Sequence, residues 1–194
     1  MSSPQEWDER FRSGSHGDPT TDPLFELSRN YWQLMPARES RVEPAALDVA
    51  CGAGRHAVAL AEGGFVTTAA DSSGEGLRKG EALARGRGVR VDWRECDLEQ
   101  AGVDLGENLY DLAAVFFFLH RPLFPVLRRC LKPGGLLVYK TYSVDQLRYP
   151  GRPSHRMYLL EHNELLQAFG GFRVLVYEEQ WEGKGTAALI AQKP

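Results

Sequence analysis

Short apolar runs alternate with segments of helical length along most of this chain, and this alternation limits the possible folds more than any other feature. The runs have strand length, whereas the segments between them place apolar residues three or four positions apart, as a helix does. The predicted strands are 45–50, 65–70, 89–94, 111–119, 136–141, 172–178 and 187–192. The predicted helices are 55–62, 75–86, 123–131 and 161–169. Such alternation is typical of α/β proteins whose parallel sheet carries helices on both faces.

The length of 194 residues predicts a single domain. Residues 1–40 lie outside the alternation but contain five large aromatic side chains, so we expect a helical and loop extension that covers the active site. Residues 41–194 then form the main domain. The turn at 182–185 joins the last two predicted strands, which indicates a terminal hairpin.

Composition favours a small-molecule partner. The 23 basic and 26 acidic side chains give a net charge of -3, so no positive field favours nucleic acid or an anionic membrane. The longest apolar run, 112–119, is too short to span a bilayer, and the N-terminus has no apolar signal region. We therefore expect a cytoplasmic monomer or homodimer. Three widely spaced cysteines suit neither a disulfide framework nor a zinc site.

The run AALDVACGAGRHA at 45–57 predicts a strand, a glycine turn and a helix in immediate succession. Gly52 and Gly54 leave room for a ligand at the backbone, and the helix that follows offers N–H groups to an anion. This pattern is typical of a loop that binds a nucleotide cofactor. Because Gly52, Gly54 and Ala57 also satisfy the spacing of a dinucleotide loop, a nicotinamide cofactor stays open at this point.

Acidic residues stand at the ends of three successive predicted strands, at the edge of the sheet where ligands bind in such folds. They are Asp48, Asp71 and Asp97. A nicotinamide cofactor accounts for Asp71, which would hold ribose hydroxyls, but it does not call for Asp48 or Asp97. A nucleoside that carries an amino acid accounts for all three, since its ammonium and its adenine amine both need acceptors.

Four ordered motifs resemble those of the class I S-adenosylmethionine-dependent methyltransferases, and the resemblance covers nearly the whole chain. The motifs are DVACGAG at 48–54, Asp71, CDL at 96–98 and LKPGG at 131–135. WDERF at 7–11, GRHA at 54–57 and FRVLVYEE at 172–179 are similar to the small tellurite-resistance and thiopurine methyltransferase branch.

The resemblance implies a Rossmann-like, doubly wound, seven-stranded sheet that is mostly parallel with an antiparallel last strand. It also implies S-adenosylmethionine as the cofactor and in-line transfer of its methyl group to a small-molecule thiol, chalcogen, amine or hydroxyl. The expected cofactor contacts are Asp48, Cys51, Gly52, Gly54, Asp71, Ser72, Cys96, Asp97, Leu98, Val115 and Phe116. Structural alternatives remain for them: a helix cap for Asp71, a turn for Asp97, loop organisation for Asp48 and a buried core for Val115 and Phe116.

The acceptor side is less constrained by sequence. His120 and Arg121 follow the fourth strand and are the candidate catalytic residues. His120 can act as an acid or base or contact the substrate, with a structural role in the loop as its alternative. Arg121 can bind an anionic group, with a surface ion pair as its alternative. No Asn/Asp-Pro-Pro-Tyr/Phe motif follows this strand, which argues against adenine methylation, and no carboxylate stands there to hold a metal. Arg148, Arg152, His155 and Arg156 form a basic run suited to an anionic acceptor or to a solvated loop. A nicotinamide oxidoreductase and a catalytically silent S-adenosylmethionine-binding protein are the alternatives.

Overall fold

The computed structural model describes residues 3–14, 16–36, 42–151 and 153–194. Within these ranges the strands are β1 (Ala45–Val49), β2 (Val66–Asp71), β3 (Val91–Glu95), β4 (Tyr110–Phe116), β5 (Leu131–Tyr142), β6 (Arg173–Gln180) and β7 (Thr186–Gln192). The α-helices are α1 (Pro4–Arg12), α2 (Pro23–Ser28), α3 (Arg55–Glu62), α4 (Gly74–Arg87), α5 (Leu123–Cys130) and α6 (Glu164–Ala168). Each predicted strand and helix is present, with shifted ends in most cases.

The seven strands form one sheet in the order β3-β2-β1-β4-β5-β7-β6. Strands β1 to β5 pair in parallel, and β7 is antiparallel to both of its neighbours. The predicted Rossmann-like fold class is confirmed. The last strand lies inside the sheet because its residues are almost all buried, whereas the charged β6 takes the edge.

Helices cover both faces of the sheet, so the central strands are buried twice. Alternate residues of β4 enter opposite cores: Leu112 and Ala114 pack with α2 and α3, while Ala113 and Val115 pack with α5 and α6. All seven residues of β4 are buried. This double burial explains why the strand reads as a continuous apolar run rather than an alternating one.

Three of the shifted element ends have identifiable local causes. β5 begins at Leu131, ahead of the predicted start at 136, because 132–135 form a bulge against β4 in which Gly134 has a φ of +77°. β4 ends at Phe116 because Phe117 has a φ of +57°, which breaks the strand. α6 begins at Glu164 because Asn163 has a φ of +61°.

The N-terminal segment starts at the carboxyl ends of the parallel strands, where Asp8 bonds to Ser73, and ends near their amino ends, where Trp32 packs on Phe65. α1 lies against α4, where the Lys79 ammonium donates to the Phe11 carbonyl, and α2 lies against β5. Residues 37–41, at the predicted boundary near position 40, lie outside the described residues. In the described ranges, no helix has the length and apolar character needed to cross a membrane.

Candidate functional site

The glycine loop connects β1 to α3 and adopts left-handed backbone conformations at three positions. Ala50, Gly52 and Gly54 have φ values of +55°, +54° and +70°. A Cβ on Gly54 would lie 2.3 Å from the Trp93 ring, and one on Gly52 would lie 3.0 Å from the Phe11 ring. A glycine is therefore needed at position 54 to accommodate the Trp93 ring. The sequence had suggested a different reason, namely space for a ligand at the backbone.

Asp71 fastens the end of β2 to this loop. One of its carboxylate oxygens accepts from the Gly52 N–H at 2.8 Å, and the other accepts from the Ser73 N–H at 2.8 Å. A further backbone hydrogen bond comes from Ser72. Burial raises the pKa of Asp71, and these N–H donors oppose that rise. Each carboxylate oxygen can accept more than one hydrogen bond, so the side chain can still receive two ribose hydroxyls.

Asp48 lies beneath the loop and is 1% exposed. Its carboxylate accepts from the Ala57 N–H at 2.9 Å and so holds the first turn of α3. Burial, with a smaller contribution from Asp71, raises the pKa of Asp48 to about 7. This contact is the loop-organising alternative that the sequence left open.

Negative charge accumulates in this part of the site without a paired cation. Burial raises the pKa of the Cys51 and Cys96 thiols, and the nearby Asp71 carboxylate raises both further. The Arg55 charge lowers the pKa of Asp48 slightly, but among the described residues no lysine or arginine forms an ion pair with Asp48 or Asp71. Uncompensated buried carboxylates favour a bound cation, and S-adenosylmethionine has two positive groups, a sulfonium and an ammonium. The residues present therefore fit this cofactor.

The residues after β3 divide between the site and the core. The Cys96 N–H donates to the Asp71 carbonyl at 2.9 Å, which brings the third strand end to the second. Asp97 is exposed, and its carboxylate accepts from the Glu99 N–H at 2.9 Å in the turn that the sequence gave as its alternative role. Leu98 is buried in the core that faces α5 and α6. Asp97 can reach a ligand at this edge, and Leu98 has a packing role.

Val115 and Phe116, expected against the cofactor, both lie in the core. The Phe116 ring stacks on the His56 ring, with centroids 4.0 Å apart. His56 is buried, its Nε2 accepts from the Asp22 N–H at 3.1 Å, and burial lowers its pKa to about 3. Sequence analysis assigned no role to His56, although it lies in the GRHA motif at 54–57.

Asp8 is a second residue that sequence analysis missed. Its carboxylate accepts from the Ser73 hydroxyl at 2.6 Å and from the Glu75 N–H at 3.0 Å, at the first turn of α4. These bonds hold the pKa of Asp8 below its ordinary value. Only the WDERF motif signalled this region, and a motif does not show which helix the carboxylate contacts.

On the acceptor side, the guanidinium of Arg121 is already engaged. It forms a two-pronged ion pair with Glu164, at 2.6 and 2.8 Å, and donates to the carbonyls of Met157 and Leu159. This is the ion-pair alternative that the sequence left open for Arg121. His120 is partly exposed after β4. Burial raises the pKa of Glu99, and His120 lowers it, which places the two side chains near each other.

Most of the predicted basic run is also neutralised. Arg148 pairs with Asp145 at 3.3 Å, and Arg156 pairs with Glu161 at 2.8 Å. Arg152 lies outside the described residues. The three cysteines are free thiols, and no cluster of three potential metal ligands occurs among the described residues.

Comparison with known proteins gives the wider context. Residues 46–135 match a family described as a methyltransferase domain. Uncharacterised proteins of Mycobacterium tuberculosis and Mycobacterium bovis are 33% identical over 92 residues, which cover 46% of this chain. The chain spans about a third of the length of these curated relatives, with 34% of each covered.

Solved structures share the fold at low sequence identity. TehB from Haemophilus influenzae superposes with a TM-score of 0.70 at 14% identity, covering 96% of this chain and 67% of its own. An S-adenosylmethionine-dependent methyltransferase from Mesorhizobium loti superposes with a TM-score of 0.64 at 17% identity, covering 81% of this chain and 96% of its own.

Proposed function

We propose that this chain is a class I S-adenosylmethionine-dependent methyltransferase and that it transfers the methyl group of its cofactor to a small-molecule acceptor. One observation carries the proposal: in the described part of the chain, no lysine or arginine forms an ion pair with the carboxylates of Asp48 and Asp71 at the glycine loop. A nicotinamide cofactor accounts for Asp71, whose carboxylate would hold its ribose, but it brings an anionic pyrophosphate to the loop beside Asp48. S-adenosylmethionine offers the same ribose to Asp71 and brings a sulfonium and an ammonium to the loop instead.

The cofactor contacts follow from the order of the strand ends. Asp71 would accept the ribose hydroxyls and Asp97, two strands from the loop, the adenine amine. The first N–H groups of α3 suit the carboxylate of the methionine moiety. The sulfonium then lies toward β4, because β4 is the neighbour of β1 on the side away from β2.

The chemistry asks little of the protein beyond alignment. The sulfonium of the bound cofactor supplies both the methyl group and its leaving group, so the chain must mainly orient the acceptor and exclude water. A thiol or chalcogen acceptor needs no further help. An amine or hydroxyl acceptor must lose a proton, and His120 is the candidate base because it follows β4 and is partly exposed.

Calorimetric titration tests the cofactor assignment. S-adenosylmethionine should bind and NADH should not. Asp71→Ala should weaken S-adenosylmethionine binding by about tenfold to a few hundredfold, because hydrogen bonds to a charged acceptor contribute roughly 1.5–3 kcal/mol.

A matched control separates this effect from general charge loss. Asp104 is an exposed acid on the loop before β4 that accepts from the Gly106 N–H at 3.0 Å, so Asp104→Ala should leave cofactor affinity unchanged. Thermal melts establish that both variants are folded. Unchanged affinity in a folded Asp71→Ala protein would exclude the proposed ribose contact.

Methyl transfer needs its own assay, since cofactor binding does not prove turnover. Incubation with methyl-labelled cofactor and a panel of thiols, thiopurines, selenite, tellurite and small amines should label at least one acceptor. Tight cofactor binding with no label on any acceptor would instead favour a catalytically silent cofactor-binding protein.

A further inference from the structure

We propose that the methyl acceptor carries an anionic group on a planar or apolar body, and that Lys184 binds this group beside the rings of Phe117 and Tyr142. The inference rests on the proposed methyl transfer and specifies its substrate class. We refer to these three side chains as the acceptor cluster.

The acceptor cluster lies on the half of the sheet edge that the cofactor leaves free. Phe117 follows β4, Tyr142 ends β5, and Lys184 lies in the turn between β6 and β7. Because β6 runs in the direction of β5, that turn lies at the same edge as the glycine loop. β4 is also the direct neighbour of β1. The cluster therefore begins next to the expected position of the methyl group.

Phe117 is held in an unfavourable backbone conformation that directs its ring into the cluster. Its φ of +57° is rare for a bulky residue and costs energy that the surrounding structure must supply. Simple strand alternation would point Phe117 to the face opposite Phe116, yet both pack against the core that contains α2 and α3. The Phe117 N–H donates to the Lys140 carbonyl at 2.8 Å, which fixes the turn.

The two rings of the cluster form a joint surface for a planar group. The centroids of Phe117 and Tyr142 are 5.2 Å apart, with an interplanar angle of 46°. Both side chains are partly exposed. Tilted aromatic pairs of this kind stack favourably with a further ring or an apolar body.

Lys184 supplies a positive charge that no carboxylate neutralises. Its nitrogen is 4.9 Å from the Phe117 centroid and 5.5 Å from the Tyr142 centroid, and among the described residues it forms no ion pair. Lys140 also approaches Phe117, but its charge is neutralised by Asp22. The Lys140 ammonium donates to both carboxylate oxygens of Asp22 at 3.0 Å. An ammonium on aromatic rings keeps its charge available to an anion.

A groove with an apolar wall lies near the cluster, although the three cluster side chains do not line it. The groove has a volume of about 260 Å³ and reaches Lys140, whose ammonium is 6.0 Å from the Phe117 ring centroid. Pro23, Leu24 and Leu27 of α2 form its apolar wall. Glu178 and Gln180 of β6 line the groove as well. Because Lys140 is paired with Asp22, we assign the anionic group of the acceptor to Lys184. The wall from α2 would contact the apolar body of the acceptor.

A pair of acceptors with the same nucleophile tests the inference. The probes are 4-mercaptobenzoate and its neutral counterpart 4-mercaptobenzamide, assayed with methyl-labelled S-adenosylmethionine. The unsubstituted protein should favour the benzoate in kcat/KM by about twofold to fivefold, a factor set by one exposed charge pair. Lys184→Gln should remove this preference, and Lys184→Arg should retain it. Equal kcat/KM for the two thiols, or a preference that survives in Lys184→Gln, would overturn the inference.

A binding measurement keeps the test independent of turnover. Benzoate and benzamide are titrated into protein saturated with S-adenosylhomocysteine, and benzoate should bind more tightly only when residue 184 is cationic. Arg129→Gln removes an exposed charge on α5, where Arg129 pairs with Asp104, and should change neither preference. If the cofactor binds but no thiol is methylated, the proposed function fails for thiols, and the benzoate titration alone decides the role of Lys184.

Discussion

Asp48→Asn should make the free energy of unfolding less dependent on pH, with the largest gain in alkaline solution. The Asp48 carboxyl is 1% exposed, and it accepts a hydrogen bond from the Ala57 N–H. Burial raises its pKa from 3.8 to about 7 in the folded protein. An asparagine amide oxygen can accept the same N–H without ever ionising.

The sign and size of the effect follow from proton linkage. Between pH 3.8 and about 7 the folded state binds more protons at Asp48 than the unfolded state does, so stability falls as the pH rises through this window. At about 1.4 kcal/mol per pH unit, the loss approaches about 4 kcal/mol above pH 7. The asparagine NH2 group adds a cost that does not vary with pH, so the informative quantity is the pH dependence of the difference between the two proteins.

Urea unfolding of both proteins from pH 4 to pH 8 measures this difference. Asp48→Asn should gain stability relative to the unsubstituted protein as the pH rises, with little further change above pH 7. Asp111 offers a contrasting control, since it is also buried but pairs with Lys132 at 2.7 Å. Asp111→Asn should lower the free energy of unfolding at pH 8, because it removes one partner of a buried pair. A difference between Asp48→Asn and the unsubstituted protein that stays constant from pH 4 to pH 8 would refute the reasoning.

Two further predictions concern α4 and the acceptor side. Gly80→Ala should destabilise the protein despite the better helix propensity of alanine, because the new Cβ would lie 2.5 Å from the Trp93 ring. At Gly86 a new Cβ meets nothing within 4 Å, so Gly86→Ala should raise the free energy of unfolding by roughly 0.5–1 kcal/mol. Thermal unfolding measures both, and equal shifts would contradict the packing argument. His120→Ala should lower kcat for an amine or hydroxyl acceptor more than it changes the dissociation constant of S-adenosylmethionine, as radiolabel kinetics and calorimetry would show. An unchanged kcat with such an acceptor would exclude His120 as the base.

Local sequence predicted the elements well because each carries its own periodicity. The α3 bounds agree with prediction, and the strands shifted where a single backbone angle intervened, as at Phe117. Local sequence does not predict a positive φ at Phe117, because tertiary contacts rather than adjacent residues stabilise a phenylalanine in a left-handed conformation. The bulge at 132–135 escaped prediction for a related reason, since it exists only against β4.

The candidate site divides in the same way. Sequence brought Asp48, Asp71 and the glycine loop together because parallel strands end at one edge. It could not show that Arg121 is held by Glu164, which is 43 residues away in the chain. Nor could it show that Lys184 rests on aromatic rings. Pairing of charges is a property of through-space distance, and composition gives only the number of charges available.

The sequence by itself determined the doubly wound sheet, the position of the glycine loop and the acidic residues at the ends of the first three strands. These features depend on residue spacing and apolar periodicity, which can be read from the chain directly. The tertiary structure decided which glycines accommodate Trp93 and which carboxylates are buried without an ion-pair partner. It also decided which basic residue on the acceptor side can bind an anionic group. Those outcomes depend on burial and on contacts between residues far apart in sequence, and folding alone creates them.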